Sequence, residues 1–394
     1  MRTALKTWLF RGSRAAGVNA RVADSAWRRQ RLAILCYHGV STADEHEALP
    51  ELYVTPAVLR RRLRHLRDGA YRVLALDRAV RDLARGTLPP RSVVLTFDDG
   101  TRDFARAAVP ILREFDAPAT VYPTTYYADR GQPIFDIALV YVLWRGRHSG
   151  AELSEFAGRP ARAREAMTWA GRAALALAIQ AQALGLGADG KHALLARVAA
   201  RTGVDLGGIV ADGLFQAMGA AELRALPRPL VDVQLHTHRH RLPASGPLLD
   251  AEVADNRAFL ASAGVASTAD HFCYPNGEST AAAADRLRSL GVRSGTTCLP
   301  SLVSRAMDPL RLPRFVDHNE VDDATFDAWV SGVAEFVPRR RMYRPAVAHR
   351  PAVAGRRSDP SGRARPRRAG VTAPSSSYGA RSPSARTARA SSCS

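Results

Sequence analysis

Val93-Val94-Leu95-Thr96-Phe97-Asp98-Asp99-Gly100 is a β-branched and aliphatic run that stops at two adjacent carboxylates and a glycine. Apolar residues without alternation are the pattern of a strand covered on both faces. The glycine permits a sharp exit from that strand. Two acids at the end of a buried strand are costly unless they are paired or bound to a cation. Asp and Gly also make ordinary acidic turns, so the stretch alone leaves turn and functional site as equal readings.

Working outward, residues 32–40 form a second apolar strand, which ends in Tyr37-His38-Gly39. Thr55-Pro56 opens a helix, with Thr as N-cap and Pro at the first position. Downstream, residues 119–123 read as the next strand. Residues 230–235 alternate and deliver His236-Thr237-His238-Arg239-His240, and 271–275 are a short strand stopped by Asn276-Gly277. Residues 292–296 and 311–315 are late strands. Helical spacing between these runs predicts parallel strands and an α/β fold. Residues 150–225 are rich in Ala, Leu and Arg without a strand pattern, and are read as a helical insertion.

The formal charge of +19 is unevenly spread. Residues 1–31 carry a net +7 and 338–394 a net +13, which leaves 32–337 at −1. The body is therefore not a basic nucleic-acid-binding core, and no specific nucleic-acid partner is expected. The 338–394 tail is Arg, Ser, Pro, Ala and Gly with little to bury, and is expected to be disordered. Residues 1–31 read either as a solvated lead-in helix or as an amphipathic helix on an anionic membrane surface. The organisation expected is thus a basic extension over 1–31, one catalytic domain over 32–337, and the tail.

Cys36, Cys273, Cys298 and Cys393 form neither a disulfide framework nor a C-x-x-C pair, and a reducing compartment fits them. The N-terminal apolar run Trp8-Leu9-Phe10 is too short for a secretory signal, and no run is long enough to span a bilayer. The localisation expected is cytoplasmic, with peripheral contact at the inner membrane face as one use of the basic ends.

Three strands thus end in chemically useful groups: His38, Asp98-Asp99, and the histidines of 236–240. In α/β barrels such groups gather at the C-terminal ends of the strands. A carboxylate with two neutral imidazoles is a ligand set for a divalent metal with open positions. His236 and His240 are one helical turn apart, so a helix starting after the strand would place both on one side. His238 is either a neighbour or a third ligand in an H-x-H arrangement. The acid left over can serve as a base.

Thr96-Phe97-Asp98-Asp99-Gly100, His236-Thr237-x-x-His240 and Tyr274-Pro275-x-Gly277 together resemble the polysaccharide deacetylases (NodB homology, carbohydrate esterase family 4) over roughly residues 32–335. The resemblance implies a deformed (β/α)7 barrel with the helical insertion, a divalent metal that is usually zinc, and removal of acetyl groups from N-acetylated sugars. Carried over by position, Asp98 is the base, and Asp99, His236 and His240 hold the metal. The backbone amide of Tyr274 helps stabilise the oxyanion.

Two departures stand out. Cys273 occupies the place of the family's base-orienting arginine, for which Arg314 is the proposed replacement. The usual C-terminal acid histidine is not evident, since His318 sits in the polar stretch Asp317-His318-Asn319-Glu320. Tyr37-His38 after the first strand resembles the permuted branch, similar to the exopolysaccharide poly-N-acetylglucosamine deacetylases, and makes His38 the acid. The implied substrate is a GlcNAc-like unit of a surface or exported glycan, or of its lipid- or nucleotide-linked precursor. A non-catalytic glycan-binding scaffold on the same fold is the alternative. The missing motif arginine favours that alternative and the complete base and metal set opposes it.

Overall fold

The computed structural model of the protein describes residues 2–265 and 269–337. The disorder expected over 338–394 therefore lies outside the described residues. Seven parallel strands close into a deformed (β/α)7 barrel. They are β1 (Arg31–Tyr37), β2 (Ser92–Asp99), β3 (Ala119–Pro123), β4 (Val231–Val233), β5 (His271–Cys273), β6 (Ser294–Thr296) and β7 (Phe315–Val316).

The closure is uneven, and that is the deformation. β1 and β2 pair over five positions from Ala33↔Val93 to Tyr37↔Phe97. β2 pairs with β3, and β3 with β4. From there a single bridge, Leu235↔Phe272, reaches β5, and another, Thr296↔Leu312, carries β6 toward β7. β5 and β6 are themselves paired, and Leu35↔Phe315 and Cys36↔Val316 return the ring to β1.

β2 is the most central strand, with Ser92 to Asp98 all buried. This accounts for its run of apolar residues without alternation: both faces are covered, one by the barrel interior and one by helices. The helix Pro56–Asp68 begins as its sequence predicts, with the Thr55 side chain accepting from the Val58 N–H and Pro56 in the first turn.

The connection from β3 to β4 is a helical layer with its own core. Its helices start at Phe135, before the 150 expected from composition, because Phe135–Arg145 is apolar nearly all round and packs inside that layer. The helices Trp169–Gln182 and Ala188–Thr202 follow, and Ala48, Leu49 and Tyr53 from the segment after β1 complete the cluster.

The N-terminal residues fold onto the barrel. Phe10 packs among Ala324, Ala328, Val333 and Ala334, and Asn19 donates to Asp327 at 2.8 Å. Arg28 is fully buried. The opposite side of the first helix, Arg2–Ala15, leaves Leu5, Trp8 and Leu9 exposed. No helix among the described residues is long and apolar enough to cross a membrane.

Candidate active site

The end of β2 is a left-handed corner. Asp99 has φ 67° and Gly100 φ 67°. A Cβ on Gly100 would lie 2.5 Å from Pro123 Cβ, so this position requires glycine twice over, by dihedral and by space. Thr237 (φ 64°) and His240 (φ 52°) are also left-handed. Non-glycine residues in this region carry strain that the surrounding structure must hold.

The two aspartates of β2 face different partners. Asp98 is 3% exposed and meets Arg314, which is 0% exposed, in a two-pronged pair: Nη1 to Oδ1 and Nη2 to Oδ2, both 2.7 Å. Burial pushes the Asp98 carboxyl up, and the Arg314 guanidinium more than offsets it, holding the group well below the usual carboxylate range. Arg314 is itself fixed by the Thr297 carbonyl (3.0 Å) and Thr96 Oγ1 (3.0 Å). His38 Nε2 stands 3.8 Å from Asp98 Oδ2. Beneath it, Tyr37 Oη donates to Asp317 Oδ2 at 3.0 Å, and the buried Arg62 Nε reaches the same oxygen at 2.9 Å.

Asp99 turns toward the imidazoles. Its Oδ1 is 3.4 Å from His236 Nε2 and 3.3 Å from His240 Nε2. Burial pushes its carboxyl up, while the imidazoles of His240 and His236 draw it down to about 2. That Oδ1 is buried without a hydrogen-bond partner, and the ligand atoms of the three residues lie within 4.8 Å of one another. His236 Nδ1 is 2.9 Å from the Cys273 carbonyl, so it carries the proton and leaves Nε2 free as a ligand. The orphaned Asp99 oxygen between two imidazoles makes this donor set fit a divalent cation.

The histidines are brought together differently from the helical turn expected. No helix follows β4; the segment is a loop, and the His236 and His240 rings meet with centroids 4.8 Å apart because Thr237 and His240 take left-handed backbone. The loop is held by the helix Gly246–Ser262. Asn256 Oδ1 accepts from the His236 N–H (2.9 Å), and the buried Glu252 accepts from the Arg239 N–H (2.7 Å) and Arg241 Nε (2.7 Å). These two supports escaped sequence reading, although two polar residues four apart on the inner face of a helix are a signal of such a role. His238 points away: its Nδ1 is 2.8 Å from Thr125 Oγ1, so it is a neighbour of the cluster.

Tyr274 requires a correction. Its N–H donates to the Thr296 carbonyl at 3.1 Å, completing the β5–β6 ladder, and is not available as an oxyanion donor. Its side chain is fully buried. The turn that follows is closed by Gly277 N–H to Tyr274 O at 2.8 Å, with Asn276 at φ 57°. His318 follows β7, and its Nδ1, like that of His38, is buried without a hydrogen-bond partner. Of the residues singled out from sequence, Asp98, Asp99, His38, His236, His240 and Arg314 therefore converge at one end of the barrel, and Tyr274 contributes only to its wall.

The polysaccharide deacetylase family model matches residues 85–154, the segment that includes the β2 motif. Two curated relatives, the poly-beta-1,6-N-acetyl-D-glucosamine N-deacetylases of Escherichia coli K12 and O157:H7, are each 31% identical over 112 residues. The match spans 27% of this chain and 16% of each relative's length. Among solved structures, the Streptococcus pyogenes deacetylase PplD, in complex with acetate, superposes with a TM-score of 0.50 at 19% identity, covering 76% of this chain and 98% of that one. Over residues 85–154 the chain thus matches the polysaccharide deacetylase family, hydrolases acting on carbon–nitrogen bonds, and its fold is similar to that of a solved deacetylase.

Proposed function

We propose that the chain is a metal-dependent N-deacetylase that hydrolyses the acetamide of a GlcNAc-like unit in a surface or exported glycan or its precursor. The observation that carries this reading is the division of labour between adjacent carboxylates: Asp98 locked to Arg314, Asp99 facing two imidazoles. A divalent ion held by Asp99, His236 and His240, zinc by the chemistry of these donors, would supply positive charge against the acetamide carbonyl and acidify a water. Arg314 keeps Asp98 ionised and fixes both of its oxygens, so the carboxylate is always ready to take a proton from the attacking water. His38, 3.8 Å from Asp98 Oδ2, is placed to deliver a proton to the departing amine. The Asn276 N–H, in place of the Tyr274 amide, is the turn donor proposed for the developing oxyanion.

The exposed Leu5, Trp8 and Leu9 of the first helix are the feature that supports peripheral contact with a membrane surface. The deciding experiment measures bound metal and acetate released from N-acetylglucosamine oligomers by the full chain, Asp98→Asn and His236→Ala. Near-stoichiometric metal lost only in His236→Ala, with acetate release lost in both variants, supports the reading. A metal-free full chain that releases no acetate sinks it.

A further inference from the structure

The Arg314–Asp98 pair lies in a nest of sulfur for which the proposed reaction has no use. Cys36 from β1, Cys273 from β5 and Cys298 from the segment after β6 are all buried free thiols. Cys36 Sγ is 3.4 Å and Cys273 Sγ 3.3 Å from Asp98 Oδ2. Arg314 Nη2 is 3.1 Å from Cys273 Sγ and 3.6 Å from Cys298 Sγ. A single buried cysteine is commonly a small hydrophobe. Three around one ion pair give a guanidinium weak acceptors where oxygen would bind it better.

Two of the three form a pair. The sulfurs of Cys36 and Cys298 and a carboxylate oxygen of Asp98 lie within 4.8 Å of one another. The neighbouring Cys36 thiol and the charge of Arg314 pull the Cys298 thiol down against its burial, whereas burial drives Cys36 up. Cys298 is thus the more acidic thiol of the pair, and Cys36 donates to Asp98 Oδ2 at 3.4 Å. Cys298 is also the most accessible of the three, 7% exposed against 0% for Cys36 and Cys273.

We propose that Cys36 and Cys298 are a peroxide-reactive pair whose disulfide disables the Asp98 base. The Cys298 sulfur attacks one oxygen of hydrogen peroxide; the O–O bond breaks and the departing oxygen leaves as water, giving a sulfenic acid. Cys36 gives up its proton and attacks that sulfur; the S–S bond forms, the S–O bond breaks and a second water leaves. Two thiols are oxidised by two electrons in all, and one peroxide is reduced to two waters. The bond removes the thiol hydrogen that Cys36 offers Asp98 Oδ2 and draws the Cys298 sulfur from Arg314. The consequence for turnover rests on Asp98 being the base; formation of the disulfide does not.

The test uses the full chain carrying Cys393→Ser, so that only these three cysteines remain. The protein is exposed to hydrogen peroxide, alkylated and digested without reductant. A linked Cys36–Cys298 peptide with Cys273 still alkylated is expected, together with a fall of about tenfold or more in acetate release that dithiothreitol reverses. The further variant Cys298→Ser, compared with its own untreated activity, should resist peroxide. A link that involves Cys273, three alkylated thiols after exposure, or equal peroxide sensitivity in Cys298→Ser overturns the proposal. Should no acetate be released before oxidation, the peptide readout still decides the thiol pair, and the failure belongs to the deacetylase reading alone.

Discussion

Two of the buried arginines, Arg314 and Arg28, lie at opposite ends of the barrel and are neutralised by different means. At the C-terminal ends of the strands, Arg314 meets the Asp98 carboxylate with two 2.7 Å bonds. At the opposite end, Arg28 donates to carbonyl oxygens: Val330 from Nε (3.1 Å) and Nη2 (2.9 Å), Ser92 (3.1 Å) and Arg31 (2.5 Å). Burial pulls the Arg28 pKa down to about 10, which still leaves it charged at neutral pH. Charge against charge fixes an anion at the site without a compensating proton. Charge against dipoles ties the N-terminal segment to β1, β2 and the last helix, and performs no chemistry. On the reading proposed above, the first arginine serves the reaction and the second closes the fold.

That contrast can be broken experimentally. Asp98→Asn keeps the shape and removes the charge; acetate release should fall by roughly 10²–10⁴-fold, the usual weight of a positioned acid or base. Arg314→Gln should lower turnover while bound metal is retained, and equal loss of both would remove Arg314 from the role of orienting the base. His240→Ala should empty the metal site, read as metal content, with a comparable loss of activity. Arg28→Met should act on stability instead. Several carbonyls lose their donor at about 1–3 kcal/mol each, so the urea midpoint should drop, while the protein that remains folded turns over at close to the parent rate. A turnover defect at an unchanged midpoint would erase the difference between the two ends.

The smallest expected effect comes from a buried carboxylate without either arginine. Asp103 accepts from the Val40 N–H at 2.8 Å, and burial raises its carboxyl from 3.8 to about 7. The folded chain therefore keeps a proton that the unfolded chain has already lost. The stability tied to that proton is full below pH 4 and drains away as pH rises through about 7, by at most a few kcal/mol. Asp103→Asn should gain on the parent in melting temperature across that window and hold a constant gap above it. A gap that is flat with pH would show that Asp103 ionises normally.

Much of this was legible in the chain. An apolar run that stops at Asp98-Asp99-Gly100 announces a buried strand with a polar end, and Thr55-Pro56 announces a helix start, because both are local rules. Arg314 could be named because the resemblance leaves the base without its arginine at Cys273, and Arg314 follows in the late strand segment. What failed depends on distant partners. The spacing of His236 and His240 suggested a helix, but their meeting is imposed by Glu252 and Asn256 from another helix. Whether the Tyr274 amide is free is decided by Thr296, 22 residues along. The basic N-terminus looked solvated because composition cannot tell which arginine, here Arg28, finds carbonyls to bury against. The apolar run 137–143 reads as a helix by itself, but its place in the helical layer was missed because an all-apolar helix lacks a polar face to show what it packs against.

The ring also has a seam. Five residue pairs join β1 to β2, whereas Leu235↔Phe272 and Thr296↔Leu312 are single rungs. The barrel is mechanically a split collar: a stiff spine that carries Asp98, and a looser flank that carries His236 and Cys273. Breathing of that flank widens the mouth without unzipping the spine, so amide exchange should be slow over 93–97 and faster at 235 and 272–273. On the reading proposed above, a glycan chain would be accommodated on the side that yields.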